Sequence, residues 1–169
     1  MNYSGKVVVI TGASSGIGRE SALKFAKLHA SIVLVSRNKN KLEEVAKELS
    51  KFQTQVLVCA CDISQKGQVD QMSKQVLEKF GTVDILVNNA GFGIYGNFND
   101  LKVEEVEAQM ATNYLGMIYC TKAFLSKMLT KIWSYCECSF CCCEFWYSSN
   151  GRILCIQVCD VGLFRVPIS

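Results

Sequence analysis

Between Lys6 and Leu129 the chain alternates two hydrophobic rhythms. Short continuous apolar runs at Lys6 to Thr11, Ser31 to Ser36, Gln55 to Cys59 and Ile85 to Asn88 are rich in β-branched residues and end in turns, the pattern of strands buried on both faces. Between them apolar residues recur at helical spacing. Ile17, Ala22, Phe25 and Ala26 form a stripe expected to face a sheet. Leu42, Val45, Ala46 and Leu49 fall at i, i+3, i+4 and i+7. Val69, Met72, Val76 and Phe80 mark a third helix, and Tyr114, Met117, Ile118, Thr121 and Leu125 a later one. Repeated β-α units of this kind predict an α/β fold, a doubly wound parallel sheet with helices on both faces and right-handed crossovers. Only four strands are visible where such a fold normally has more, so the sheet reads as truncated with the outer edge of its fourth strand open. Unpaired buried backbone groups there would cost roughly 1–3 kcal/mol each.

Half of the 169 residues are apolar, enough for one domain with a real core, which excludes a disordered chain. The net charge is only +3, and Lys and Arg are interspersed with Glu and Asp along the helices, a solvated surface and not a nucleic-acid footprint. Residues 1–6 run into a strand without a basic, apolar and small-residue leader pattern, and no apolar run approaches the roughly 20 residues of a membrane span. The expectation is a cytoplasmic protein with no membrane partner. Ten cysteines are distributed unevenly, Cys59, Cys61 and Cys120 early and seven after Lys131. The early three lie in apolar surroundings and read as small buried hydrophobes with reduced thiols.

Chemistry concentrates at the carboxyl ends of the strands. Gly12, Gly16 and Gly18 lie between a strand and a helix, where glycines permit a tight turn and let backbone N–H groups at the helix N-terminus approach a pyrophosphate. Ser14 and Ser15 can add hydroxyl donors. A plain flexible turn would show the same glycines. After the second strand, where many nicotinamide sites place an acidic residue against the ribose 2′-hydroxyl, this chain has Ser36-Arg37. A guanidinium forking onto a 2′-phosphate would favour NADP(H) over NAD(H) by about ten-fold to a hundred-fold; the bland alternative is a solvated Arg on a loop. Asp62 follows the third strand and Asn88-Asn89-Ala90-Gly91 the fourth, each at the edge where ligands lie in open α/β sheets, although each alone could be a turn.

Taken together, T-G-x-x-x-G-x-G at Thr11 to Gly18, Asp62-Ile63, N-N-A-G at Asn88 to Gly91, and Asn113 within Thr112-Asn113-Tyr114 make residues 3 to 130 resemble the N-terminal half of the short-chain dehydrogenase/reductase family. The resemblance implies a Rossmann-like, nucleotide-binding oxidoreductase transferring hydride between a nicotinamide and a small carbonyl or secondary alcohol. It places Asp62 at the adenine amino group, Ile63 against the ring, and Asn89, Ala90 and Gly91 along the ribose next to the nicotinamide. Gly12, Ser14, Ser15, Gly16, Ile17 and Gly18 would bind the pyrophosphate side, and Ser36 and Arg37 resemble the NADP(H)-preferring members. Asn113 would kink its helix and hold the water that serves a catalytic Lys. Family members are homo-oligomers, but their contact surfaces use later helices and strands, so a homo-oligomeric partner is doubtful here.

Of the four family catalytic positions only Asn113 is matched. Tyr135 and Tyr147 have Ser139 and Gly151 four residues on, no Lys follows Lys131, and the single histidine, His29, sits at a helix end. The domain reading is therefore a dinucleotide-binding unit over 1–130 and an anomalous Cys-rich tail over 131–169 that is not a domain. We read this tail as a shifted reading frame. Taking the last two bases of each codon with the first of the next turns Trp into Gly and every Cys into Ala or Val. Permitted codons then give S-G-H-I-V-N-V-A-S-V-A-A-S-F-G-I-P-A-M-A-G-Y-C-A-S-K, with the family's Ser, Tyr and Lys at its spacing. The chain as written should then be catalytically inactive. The alternatives are a non-catalytic NADP(H)-binding or interaction protein, and a metal-thiolate site in the Cys136 to Cys143 cluster. That cluster has no His and no paired Cys-x-x-Cys knuckles, so no metal ligand is assigned. In the frame as written, Gly151-Arg152-Ile153 also resembles the family's fifth-strand region, with Val158 near its Ser position.

Overall fold

The computed structural model describes residues 3–128 and the strand Cys155–Gln157. Its strands are β1 (Val7–Thr11), β2 (Ser31–Ser36), β3 (Val56–Ala60), β4 (Ile85–Asn88) and β5 (Cys155–Gln157). They form one parallel sheet in the order β3-β2-β1-β4-β5. The helices are α1 (Gly16–Lys27), α2 (Lys39–Leu49), α3 (Lys66–Phe80), α4 (Val103–Met110) and α5 (Met117–Met128), the last two joined by a π-turn at Ala111–Gly116.

Alternation along the strands divides the core in two. Val8 and Ile10 of β1 and Ile32 and Leu34 of β2 pack on one face with Ala22, Ala26, Leu42, Val45 and Leu49 of α1 and α2. Val7, Val9, Val33 and Val35 pack on the other with Val69, Met72 and Val76 of α3 and with Cys120, Phe124 and Met128 of α5. Period-2 side chains on strands that are apolar throughout thus build both layers from the same residues. At the amino end of the sheet Asp84, buried, accepts a hydrogen bond from Val7 N–H at 2.7 Å, while Asp84 N–H donates to Val7 C=O at 2.9 Å.

Three sequence expectations need correction. Ile17 does not face the sheet: it is 60% exposed and lines the cleft described below, while Gly18, Ala22 and Ala26 are the buried residues of α1. The buried stripe of α5 is Cys120, Phe124 and Met128, preceded by Gly116, and is thus offset from the expected Tyr114, Met117, Ile118, Thr121 and Leu125. Gly116 packs tightly there: a Cβ on it would lie 2.8 Å from the Ile63 side chain on the loop after β3. Finally, the sheet does not stop at four strands. Leu86, Val87 and Asn88 of β4 align with Cys155, Ile156 and Gln157, so β5 covers the edge that would otherwise carry unpaired backbone groups.

Candidate functional site

At the carboxyl end of the sheet the loops after β1, β2, β3 and β4 converge on one cleft of about 570 Å³. Its walls include Gly12, Ser14, Ser15, Gly16 and Ile17 from the first loop, Ser36 and Arg37 from the second, Asp62 and Ile63 from the third, and Asn89, Ala90 and Gly91 from the fourth. Thirteen of the fourteen residues singled out from the sequence as binding positions are Gly18, packed beneath, and these cleft residues. The remaining one, Asn113, stands behind the wall.

The first and fourth loops are locked together. Thr11 Oγ1 accepts hydrogen bonds from Asn89 N–H and Ala90 N–H, both at 3.0 Å, and lies 3.3 Å from Val87 C=O, to which it donates. Asn89 Nδ2 donates to Thr11 C=O at 3.0 Å and Gly12 C=O at 3.2 Å. Asn89 therefore holds the glycine loop in place with its amide hydrogens. The packing leaves no room for side chains: a Cβ on Gly12 would meet Ala90 Cα and Asn89 Nδ2 at 2.8 Å, and one on Gly18 would meet Gly12 C=O at 2.4 Å. Gly16, with φ +52°, has no atom within 4 Å of such a position, which leaves open space at the α1 N-terminus. The Ser15 hydroxyl makes no capping bond, and the first turn of α1 carries no acidic residue. Free N–H groups and the positive end of the helix dipole are what a phosphate group seeks.

Around the end of β2 the cleft is cationic. Ser36, which lines the cleft, has a buried Oγ with no hydrogen-bond partner. Arg37 is exposed, and Asn38 caps α2 by accepting from Lys41 N–H at 3.1 Å. Lys41 itself lines the cleft. Sequence reading passed over it, although a Lys four residues after Arg37 and in the first turn of the next helix was a usable signal. Lys39 in the same turn is instead engaged by Glu43 at 3.8 Å.

On the third loop Asp62 Oδ1 accepts from Ser64 N–H at 3.0 Å and Ser64 Oγ at 2.8 Å, and Asp62 N–H donates to Gln68 Oε1 at 2.8 Å, so the carboxylate is fixed at the cleft wall. Neighbouring Cys61 also lines the cleft. Burial, reinforced by the charges of Cys59 and Asp62, pushes the Cys61 thiol up to about 11; burial likewise pushes Cys59 to about 11 against a lowering influence from Lys79. Both are protonated and weakly nucleophilic at neutral pH, in keeping with their reading as reduced core residues.

Asn113 occupies the π-turn. Its Oδ1 accepts from Phe92 N–H at 3.0 Å and its Nδ2 donates to Phe92 C=O at 2.8 Å, so its side chain secures the loop after β4 instead of lining the cleft. Phe92 and Thr112, both cleft residues, were not singled out from the sequence. Tyr135, Tyr147, Val158 and the Cys136 to Cys143 cluster lie outside the described residues. No group of three or more His, Cys, Asp or Glu able to hold a metal ion occurs among the described residues, and no helix among them is long and apolar enough to cross a membrane.

A family model described as short chain dehydrogenase matches residues 6–134. The chain is 44% identical over 129 residues to the 3-ketodihydrosphingosine reductase of Bos taurus, covering 73% of this chain and 39% of that one. It is 40% identical to an uncharacterized oxidoreductase of Staphylococcus epidermidis, covering 73% and 53%. Among solved structures, L-sorbose reductase from Gluconobacter frateurii, complexed with NADPH and L-sorbose, superposes with a TM-score of 0.74 at 38% identity, covering 77% of this chain and 50% of that one. A 7α-hydroxysteroid dehydrogenase complexed with NADH superposes at 0.72 with 31% identity, covering 76% and 50%. The chain thus spans between about two fifths and half of the length of these relatives. On the motif-bearing cleft, the matched span and these likenesses, the chain belongs to the short-chain dehydrogenase/reductase family of nicotinamide-dependent oxidoreductases.

Proposed function

We propose that this cleft binds NADP(H) in preference to NAD(H), and that the chain as written performs no hydride-transfer turnover. The observation that carries the preference is the pair of cations, Arg37 and Lys41, at a cleft corner where the buried Ser36 Oγ lacks a partner. A 2′-phosphate would supply the acceptor oxygens that these three groups call for, through charge-assisted contacts. The pyrophosphate belongs at the α1 N-terminus beside Gly16 and Ser15, the adenine beside Asp62 and Ile63, and the nicotinamide toward Ala90 and Gly91. When bound, the nicotinamide supplies hydride chemistry on a carbonyl or secondary alcohol.

What this chain's own residues do is bind and orient. Turnover also needs a group that protonates the substrate oxygen, and no Tyr followed four residues later by Lys occurs in the sequence. Asn113 is committed to the Phe92 backbone. The frame-shift reading of residues after Lys131 accounts for both the cysteine excess and the missing Ser, Tyr and Lys. We read the buried cysteines among the described residues, Cys59, Cys61 and Cys120, as belonging to a reducing, cytosolic setting.

Fluorescence titration of the full chain tests the preference. NADPH should bind at least ten-fold more tightly than NADH, and Arg37→Asp should remove that gap. An unchanged preference in Arg37→Asp would refute the assignment. NADPH oxidation over a broad carbonyl panel tests the second half: turnover abolished by Asn113→Ala would contradict an inactive chain, whereas a Tm raised by NADPH without turnover supports it.

A further inference from the structure

The loop after β4 runs from Gly91 to Asn97 without regular secondary structure, yet its backbone is held from one side by the helix that follows. Asn113 brackets Phe92, and four residues earlier Gln109 Oε1 accepts from Ile94 N–H at 3.3 Å. The two spacings correspond. Four residues along a helix advance about 6 Å, and two residues along an extended segment advance about 6.6 Å, so side chains at i and i+4 can reach backbone groups at j and j+2 on one edge. Two side-chain amides thereby do what a neighbouring strand would do for Phe92 and Ile94.

We propose that Gln109 is a positioning residue for the nicotinamide side of the cleft, acting through Ile94. The near end of the loop is anchored where Thr11 holds Asn89 and Ala90, and Gly91 and Phe92 form the cleft wall between that anchor and the Asn113 and Gln109 contacts. Losing the Gln109 contact leaves the loop held at the Thr11 anchor and at Phe92, and loosens it beyond Phe92. Gln109 is not among the residues lining the glycine loop or the cationic corner of the cleft, so the adenine half should not register the change. This inference rests on the reading that NADP(H) lies in this cleft with its nicotinamide toward Gly91.

The test uses the full chain with Gln109→Met, which removes the acceptor at similar volume, and Gln109→Glu, which keeps an acceptor oxygen. Dissociation constants are measured for NADPH and for adenosine 2′,5′-bisphosphate, which lacks the nicotinamide half, alongside hydrogen exchange at the Ile94 amide. Gln109→Met should weaken NADPH about five-fold, the effect of one net hydrogen bond, and speed Ile94 exchange while leaving the bisphosphate within about two-fold. Gln109→Glu should restore both. Equal weakening of the two ligands, or unchanged NADPH binding in Gln109→Met, would overturn the proposal alone. A wild-type chain that binds neither ligand would instead overturn the cofactor reading beneath it.

Discussion

The two halves of the cleft use their polar groups differently. On the side we assign to the phosphates and adenine, the α1 N-terminus, Ser15, Arg37 and Lys41 line the cleft, and the buried Ser36 Oγ has no hydrogen-bond partner. On the opposite side, Thr11, Asn89, Asn113 and Gln109 direct their side chains to neighbouring backbone. One half offers donors and charge; the other is scaffolding, satisfied within itself. Affinity and cofactor choice should accordingly reside in the first half, while the second sets where a reacting ring would lie. A proton donor has to come from elsewhere in such a fold, and the sequence as written offers none in the family's pattern.

Gly18→Ala should break the first half most severely. Its Cβ would fall 2.4 Å from Gly12 C=O, a backbone atom that cannot yield cheaply, so a loss of about 1–3 kcal/mol in stability and at least a hundred-fold in NADPH affinity is expected by thermal melts and titration. Thr11→Val addresses the scaffold: it leaves Ala90 N–H without its Thr11 acceptor and Asn89 N–H with Val87 C=O alone, at a cost of about 1–3 kcal/mol in a melt, and Thr11→Ser should restore it. Lys41→Ala should weaken NADPH several-fold and NADH not at all, confining its effect to the 2′-phosphate corner. The buried thiols give a pH test. The unfolded chain releases the Cys59 and Cys61 protons near pH 9 and the folded chain only near about 11, so stability should fall as pH rises through that window. Replacing both by Ala should flatten the decline.

Smallest of all is His29→Gly. His29 follows α1 with φ +64°, a conformation that penalises a side chain, so Gly there should add up to about 1 kcal/mol without altering either half of the cleft.

Most of the cleft was readable in the sequence because its determinants are local. Glycines at 12, 16 and 18 have to sit between a strand and a helix, and Arg37 has to follow a strand end. Lys41 was missed because a first-turn lysine looks like any solvated charge until the helix is oriented over the cleft. Ile17 was assigned to the sheet because apolar spacing alone does not reveal that the first turn of a helix borders a cleft. The α5 face was displaced because apolarity counts favour Met117 and Ile118, whereas close approach favours Gly116 and Cys120. Gln109 could not be found from pattern at all, since its partner is a backbone N–H fifteen residues away in an irregular loop.

The most direct test of a cleft whose adenine half carries binding and cofactor choice is a titration of the full chain with adenosine 2′,5′-bisphosphate and with ADP. The account predicts that the bisphosphate binds within about ten-fold of NADPH and at least ten-fold more tightly than ADP. Equal affinity for the bisphosphate and ADP, or bisphosphate binding a hundred-fold weaker than NADPH, would contradict it.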